Sequence, residues 1–179
     1  IRDLATEYDT PFLALDVDDL QQRARDYREA FADDSGAANV YYAGKAFLCT
    51  EVARWVTEAG LNIDGASGGE MAVALAAGVD PARLGLHGNN KSLSEIDRAV
   101  GAGVGAIVID SVVEIERVAT AASRHGRTQP VRLRINSGVH ASTHEYLATA
   151  REDQKFGIPL ADAAAAVALI RAQPSLSFL

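Results

Sequence analysis

The sequence predicts an α/β protein with a parallel sheet, part of a (β/α)8 barrel with about five βα units, on three observations. Short β-favouring runs alternate with helical patterns from Asn39 onward. The expected strand ends near Ala43, Asp64, His87, Asp110 and Asn136 recur every 21 to 26 residues, the pitch of βα repeats. The run Ala106-Ile107-Val108-Ile109 is continuously apolar, as a strand covered on both faces should be. Eight such units need ~200 residues or more, so 179 residues leave a ring open. The expectation is therefore part of a larger protein, with an open doubly wound sheet as the alternative that would let the chain stand alone.

Each element follows from local pattern. Val40-Tyr41-Tyr42-Ala43 reads as the first strand, and Thr50 to Val56 has helical apolar spacing. Leu61-Asn62-Ile63-Asp64 leads through a Gly-rich turn into an Ala-rich helix, Glu70 to Ala77, closed by Gly78. Arg83 to His87 is the third strand, and Ser92 with Glu95 three residues on is a capping box. Ala106 to Asp110 is the fourth strand, and Ser111 opens a helix with Glu114 at the same offset. Pro130 to Asn136 alternates as a fifth strand, and Pro159 to Ala172 is a helix after a long polar stretch. Leu176 to Leu179 opens a sixth strand.

Composition narrows the function. With 17 Lys and Arg against 24 Asp and Glu, the net charge is −7, and the chain has no basic run of the kind that phosphate backbones or anionic lipid require. Nucleic acid and membrane are not expected partners. The single cysteine, Cys49, makes no intrachain disulfide and reads as a buried, inert thiol in a reducing cytosol. No apolar run approaches the ~20 residues of a spanning helix. Ile1 to Asp9 carries no apolar signal segment, and with no initiator Met the chain is expected to begin inside a longer reading frame.

Parallel α/β folds carry their chemistry just beyond the carboxyl ends of the strands. Lys45 stands there after Ala43-Gly44, where a primary amine can attack a carbonyl to form a Schiff base; a surface charge is the plainer reading. Asp64 precedes Gly65-Ala66-Ser67-Gly68-Gly69-Glu70, a turn that lets backbone approach a ligand closely or simply starts a helix well. It meets neither the dinucleotide G-x-G-x-x-G spacing nor the P-loop ending. His87-Gly88-Asn89-Asn90-Lys91-Ser92 is a polar junction suited to hydrogen bonding, or to an ordinary turn. Arg134 in an apolar strand needs a carboxylate or an anionic ligand group. His140, His144 and Glu145 lack metal-site spacing, so no metal is expected.

Five ordered segments, Tyr42-Ala43-Gly44-Lys45-Ala46-Phe47, Asp64 to Glu70, His87 to Ser92, Thr143-His144-Glu145 and Gln154-Lys155-Phe156-Gly157-Ile158, resemble diaminopimelate decarboxylase, as does the opening Thr10 to Asp16. The resemblance implies pyridoxal 5'-phosphate chemistry on an alanine-racemase-like (β/α)8 barrel. Residues 1–16 would be an entry segment of a second β-rich domain, and 17–179 the N-terminal part of the barrel, cut at its sixth strand. Lys45 would bind the cofactor covalently and act as the catalytic lysine. Ala43 would pass beneath the cofactor plane, Asp64 and Arg134 would organise its phenolate side and Lys45, and Glu70 and His87 would lie near the pocket. The implied activity of the complete enzyme is decarboxylation of meso-diaminopimelate to L-lysine and CO2 by a cytoplasmic homodimer, with the 179 residues inactive alone. Alternatives are a decarboxylase of ornithine or arginine, or a non-catalytic homologue that binds a partner. The cofactor-stacking histidine motif, the glycine-rich phosphate loop and the acid that pairs with the pyridine nitrogen are not found in these residues. Ser137 stands where the family more often has proline.

Overall fold

The computed structural model describes residues 1–32, 39–137 and 156–179. Two helices come first, α1 (Arg2–Tyr8) and α2 (Val17–Ala30). The repeating units follow: β1 (Tyr41–Ala43), α3 (Thr50–Glu58), β2 (Asn62–Gly65), α4 (Gly68–Ala76), β3 (Leu84–Leu86), α5 (Leu93–Ala102), β4 (Ala106–Ile109), α6 (Val112–Arg124) and β5 (Gln129–Leu133). The rest comprises β6 (Ile135–Asn136), β7 (Ile158–Pro159), α7 (Ala163–Arg171) and β8 (Leu176–Phe178). Six strands form one parallel sheet in the order β1-β2-β3-β4-β5-β8. The anticipated sixth strand thus pairs with β5.

This order runs with the sequence and never reverses, whereas a doubly wound sheet reverses at its switch point. The sheet is also curled. In a flat sheet β1 and β5 would lie four spacings apart, roughly 19 Å, yet Arg132 Nη2 donates to the Tyr41 hydroxyl at 3.1 Å and its guanidinium lies 4.9 Å from that ring's centroid. By strand alternation, Asp64, Gly85 and Arg132 share the concave face with Tyr41. The opposite face carries Ile63, Leu86, Ile107, Ile109 and Val131, all buried against Val52, Val56, Ile96, Val100, Ile115, Val118 and Ile170 of the helices. A sheet with one helical layer and a polar hollow is a partial (β/α)8 barrel, as expected.

Several local expectations change. The Gly-rich stretch is less loop than helix: α4 starts at Gly68, where the Ser67 side chain accepts from Glu70 N–H, and it ends before Gly78 at φ +82°. The fifth strand is not continuous to Asn136, because the chain leaves β5 at Arg134 and β6 pairs instead with β7. Ile158 N–H donates to Arg134 O across that switch. Cys49 is half-buried as the N-cap of α3, without a side-chain cap bond. Among the described residues no helix is long and apolar enough to cross a membrane.

The Ser92–Glu95 capping box is formed, and Glu95 does more than cap. It accepts from Gly68 N–H at 2.7 Å, from Ser92 N–H at 2.9 Å and from the Ser92 hydroxyl at 2.8 Å, joining the starts of α4 and α5. These bonds, Gly68 first, hold its carboxyl below the usual carboxylate range. A depressed folded value means stability that is complete above the unfolded value of ~4.3 and is lost as the pH falls through the folded one. Because the group is solvent-screened, Glu95→Gln is expected to cost less than about 1 kcal/mol at pH 7. The gap from wild type should close below pH ~4. Urea unfolding at the two pH values checks this; an unchanged gap would remove the carboxylate charge as its source.

Candidate active site

Four residues from four different strand ends meet in one cavity. It measures about 310 Å3 and is lined by Lys45, Asp64, Ala66, His87, Gly88, Asn89, Arg134 and Phe156, within the usual size of small-molecule sites. The register explains the convergence. Ala43 is level with Asp64 and Asp64 with Gly85, so Lys45 and His87, each two residues further along its strand, extend past the same end of the sheet. Lys45 lies on a single 3-10 turn, Gly44–Ala46, and is exposed.

The turn sits close to its neighbours because Gly44 has no side chain. A Cβ there would lie 3.2 Å from Glu70 Oε2 and 3.3 Å from Asp64 O. Glu70 does not line the cavity; its Oε2 accepts from Ala66 N–H at 2.8 Å and braces the β2–α4 turn beneath Gly44. Ala43 likewise stands beside the cavity as the last residue of β1 without lining it. Lys45, Asp64, His87 and Arg134 are therefore brought together, and Ala43 and Glu70 support them.

His87 Nδ1 is 3.1 Å from Asp64 Oδ2. Because a carboxylate only accepts, Nδ1 carries the proton, and in the neutral ring Nε2 is left as an acceptor. Nε2 is shut from solvent without a hydrogen-bond partner among the described residues. A buried, unpaired nitrogen costs about 1–3 kcal/mol. Arg134 faces Phe156 with its guanidinium 4.9 Å from the ring centroid and pairs with Asp110 at 3.0 Å. Arg134 thus has a carboxylate partner and also borders the cavity. The donor set fits an anionic aromatic aldehyde cofactor: one accessible primary amine, one guanidinium and an imidazole held by a carboxylate.

Residue chemistry in the sequence does not single out Asp110, Phe156 or the pair Lys91–Glu114. Ser111 makes no side-chain cap bond. Glu114 is buried instead, accepting from Asp110 N–H at 2.8 Å and facing Lys91 at 3.0 Å. The available signal is the lysine in the polar junction before Ser92 together with an acid in the first turn of the next helix. His140, His144, Glu145, Gln154 and Lys155 lie outside the described residues.

Gly88 shapes the far wall. Its φ is +106°, and a Cβ would meet Ala66 O at 3.0 Å. Gly88→Ala is expected to destabilise by about 1–3 kcal/mol and to narrow the cavity. A thermal midpoint equal to wild type would show that the loop has another conformation available.

A curled parallel sheet with an amine, a carboxylate-held imidazole and a guanidinium at its strand ends fits the pyridoxal-binding domain of the barrel decarboxylases. The chain belongs to that class: residues 17–178 match the family of pyridoxal-dependent decarboxylases over the pyridoxal-binding domain. It is 53% identical over 171 residues to the diaminopimelate decarboxylase of Mycobacterium leprae and 47% identical over 163 residues to that of Corynebacterium efficiens. These alignments cover 96% and 91% of the chain but only 36% and 35% of the relatives' lengths. The crystal structure of Helicobacter pylori diaminopimelate decarboxylase complexed with L-lysine superposes with a TM-score of 0.91 at 28% identity, covering 99% of this chain and 45% of that one.

Proposed function

We propose that these residues form the cofactor-binding part of a pyridoxal 5'-phosphate-dependent diaminopimelate decarboxylase, whose complete form converts meso-diaminopimelate to L-lysine and CO2. The observation that carries the reading is the convergence of Lys45, Asp64, His87 and Arg134 on one cavity. The 53% identity to a diaminopimelate decarboxylase favours that substrate over ornithine or arginine. Pyridoxal phosphate, when bound, supplies the conjugated electron sink for the carbanion left by departing CO2.

The chain's own residues bind and orient. Lys45 would supply the primary amine that holds the cofactor covalently. Asp64 keeps the His87 ring in one orientation with its proton on Nδ1. Arg134, steadied by Asp110 and stacked on Phe156, offers a fixed positive charge to an anionic oxygen. Ala43 pairs with Asp64 of β2 just before the Lys45 turn, and Glu70 braces the β2–α4 turn that the Lys45 turn packs against. The reading includes a homodimer, a cytoplasmic location and passage of residues 1–16 towards a second, β-rich domain.

The test uses the full-length enzyme. Borohydride reduction followed by peptide mapping should place the pyridoxyl group on Lys45, and CO2 should be released from meso-diaminopimelate faster than from ornithine or arginine. A label on another lysine overturns the site; preference for ornithine or arginine overturns the substrate. Sedimentation of the same sample reads the dimer.

A further inference from the structure

We propose that the buried Lys91–Glu114 pair is a positioning device that sets two walls of the cofactor cavity relative to each other; the proposal rests on the cavity being the pyridoxal phosphate site. Neither residue lines the cavity. Both side chains are almost wholly buried, Lys91 at 1% and Glu114 at 3% exposure, with Nζ to Oε2 at 3.0 Å.

All three ammonium donors of Lys91 have acceptors: Glu114 Oε2, Val108 O at 2.8 Å, and Gly88 O. Val108 belongs to β4, while Gly88 is the wall residue held at φ +106°. The first wall therefore hangs from Lys91 by one bond. Glu114 Oε2 also accepts from Asp110 N–H at 2.8 Å. Asp110, just past β4, then divides its carboxylate, Oδ1 to Arg134 at 3.0 Å and Oδ2 accepting from Gly157 N–H at 3.1 Å. The second wall, Arg134 with Phe156 beside Gly157, therefore hangs from Glu114 through Asp110. One ion pair ties the ends of β3, β4 and β5 together.

Stability alone does not account for charges in this position. Burying both ions is costly, and apolar side chains of similar volume often fill such a place equally well or better. What an apolar pair lacks is direction: Lys91 donates to the backbone carbonyls of Gly88 and Val108, and Glu114 Oε2 accepts from Asp110 N–H. The loop after β3 and the Arg134 guanidinium must be placed together for a ligand to meet both, and misplacement by ~1 Å can cost about 100-fold in function.

The experiment compares full-length wild type with the double variant Lys91→Met/Glu114→Leu, which removes both charges at similar volume. Three readouts are taken: the thermal midpoint of the cofactor-free protein, the pyridoxal phosphate Kd, and the induced circular dichroism of the bound cofactor's band. The expected result is a midpoint within a few degrees of wild type, a Kd raised about tenfold or more, and an altered induced signal. A merely structural pair would leave the last two unchanged, and a folded variant with wild-type Kd and dichroism overturns the proposal. If this variant does not fold, Lys91→Met/Glu114→Gln, which keeps an acceptor for Asp110 N–H, carries the same readouts. Failure of both to fold makes the pair a folding element and also overturns it. Wild type that takes up no pyridoxal phosphate would instead overturn the site reading itself.

Discussion

Lys45→Ala in the full-length enzyme is expected to lose covalently held pyridoxal phosphate and CO2 release together. Among the described residues lining the cavity, Lys45 alone carries a primary amine. Lys91, the next lysine along the chain, is buried at 1% exposure with its three donors engaged, so it cannot take over without breaking the pair with Glu114. Asp64, His87 and Arg134 would remain, and they would still hold the cofactor by hydrogen bonds and charge. The expected phenotype is therefore weak, dialysable binding and a rate ~10³-fold or more below wild type, because the covalent route and its orientation are both gone. The absorbance near the visible edge that borohydride removes should vanish after dialysis. If it persisted in Lys45→Ala, another amine would carry the link and the assignment of this cavity would fail.

The repeat and the cavity differ in how far local sequence reveals them. Strand and helix alternation rests on residues within one turn or pleat of each other, so β4 and the Ser92 capping box are readable directly. The break at Arg134 is not, because it depends on Ile135 pairing with Ile158, over twenty residues away. Helix α2 gives little apolar pattern to read although Asp16 caps it by accepting from Asp19 N–H, since its polar sequence buries only Ala24 among its fourteen residues. In the site, Lys45, Asp64 and His87 are legible as polar residues at strand ends, Arg134 as a charge in an apolar strand, and the resemblance of the surrounding motifs is what joins them into one site. Glu70 accepts from Ala66 N–H beside the cavity rather than lining it, a distinction set by side-chain direction. Glu114 has the spacing of a capping acid, and its three-residue offset from Ser111 suits that role as well as it suits burial. Only the arrival of Lys91 from the preceding unit, 3.0 Å away, decides between them.

That decision has the largest expected effect on stability. Glu114→Leu would leave the Lys91 ammonium in a site with 1% exposure, facing two carbonyl oxygens and no counter-charge among the described residues. Removing one partner of a buried pair typically costs about 3–5 kcal/mol, a large share of the 5–15 kcal/mol by which domains are stable. The loss includes more than the charge, because the introduced leucine offers Asp110 N–H no acceptor and Asp110 positions Arg134. The expected result is a thermal midpoint lower by several degrees or more, with cofactor binding weakened in the fraction that remains folded. Adding Lys91→Met should recover most of the stability, since the uncompensated charge is the main cost, without recovering the cofactor affinity that the directional bonds supply. Thermal unfolding of the cofactor-free single and double variants separates the two effects. A double variant as unstable as Glu114→Leu would mean that the site cannot be packed with apolar groups, and that the ion pair holds up the fold as well as the cavity.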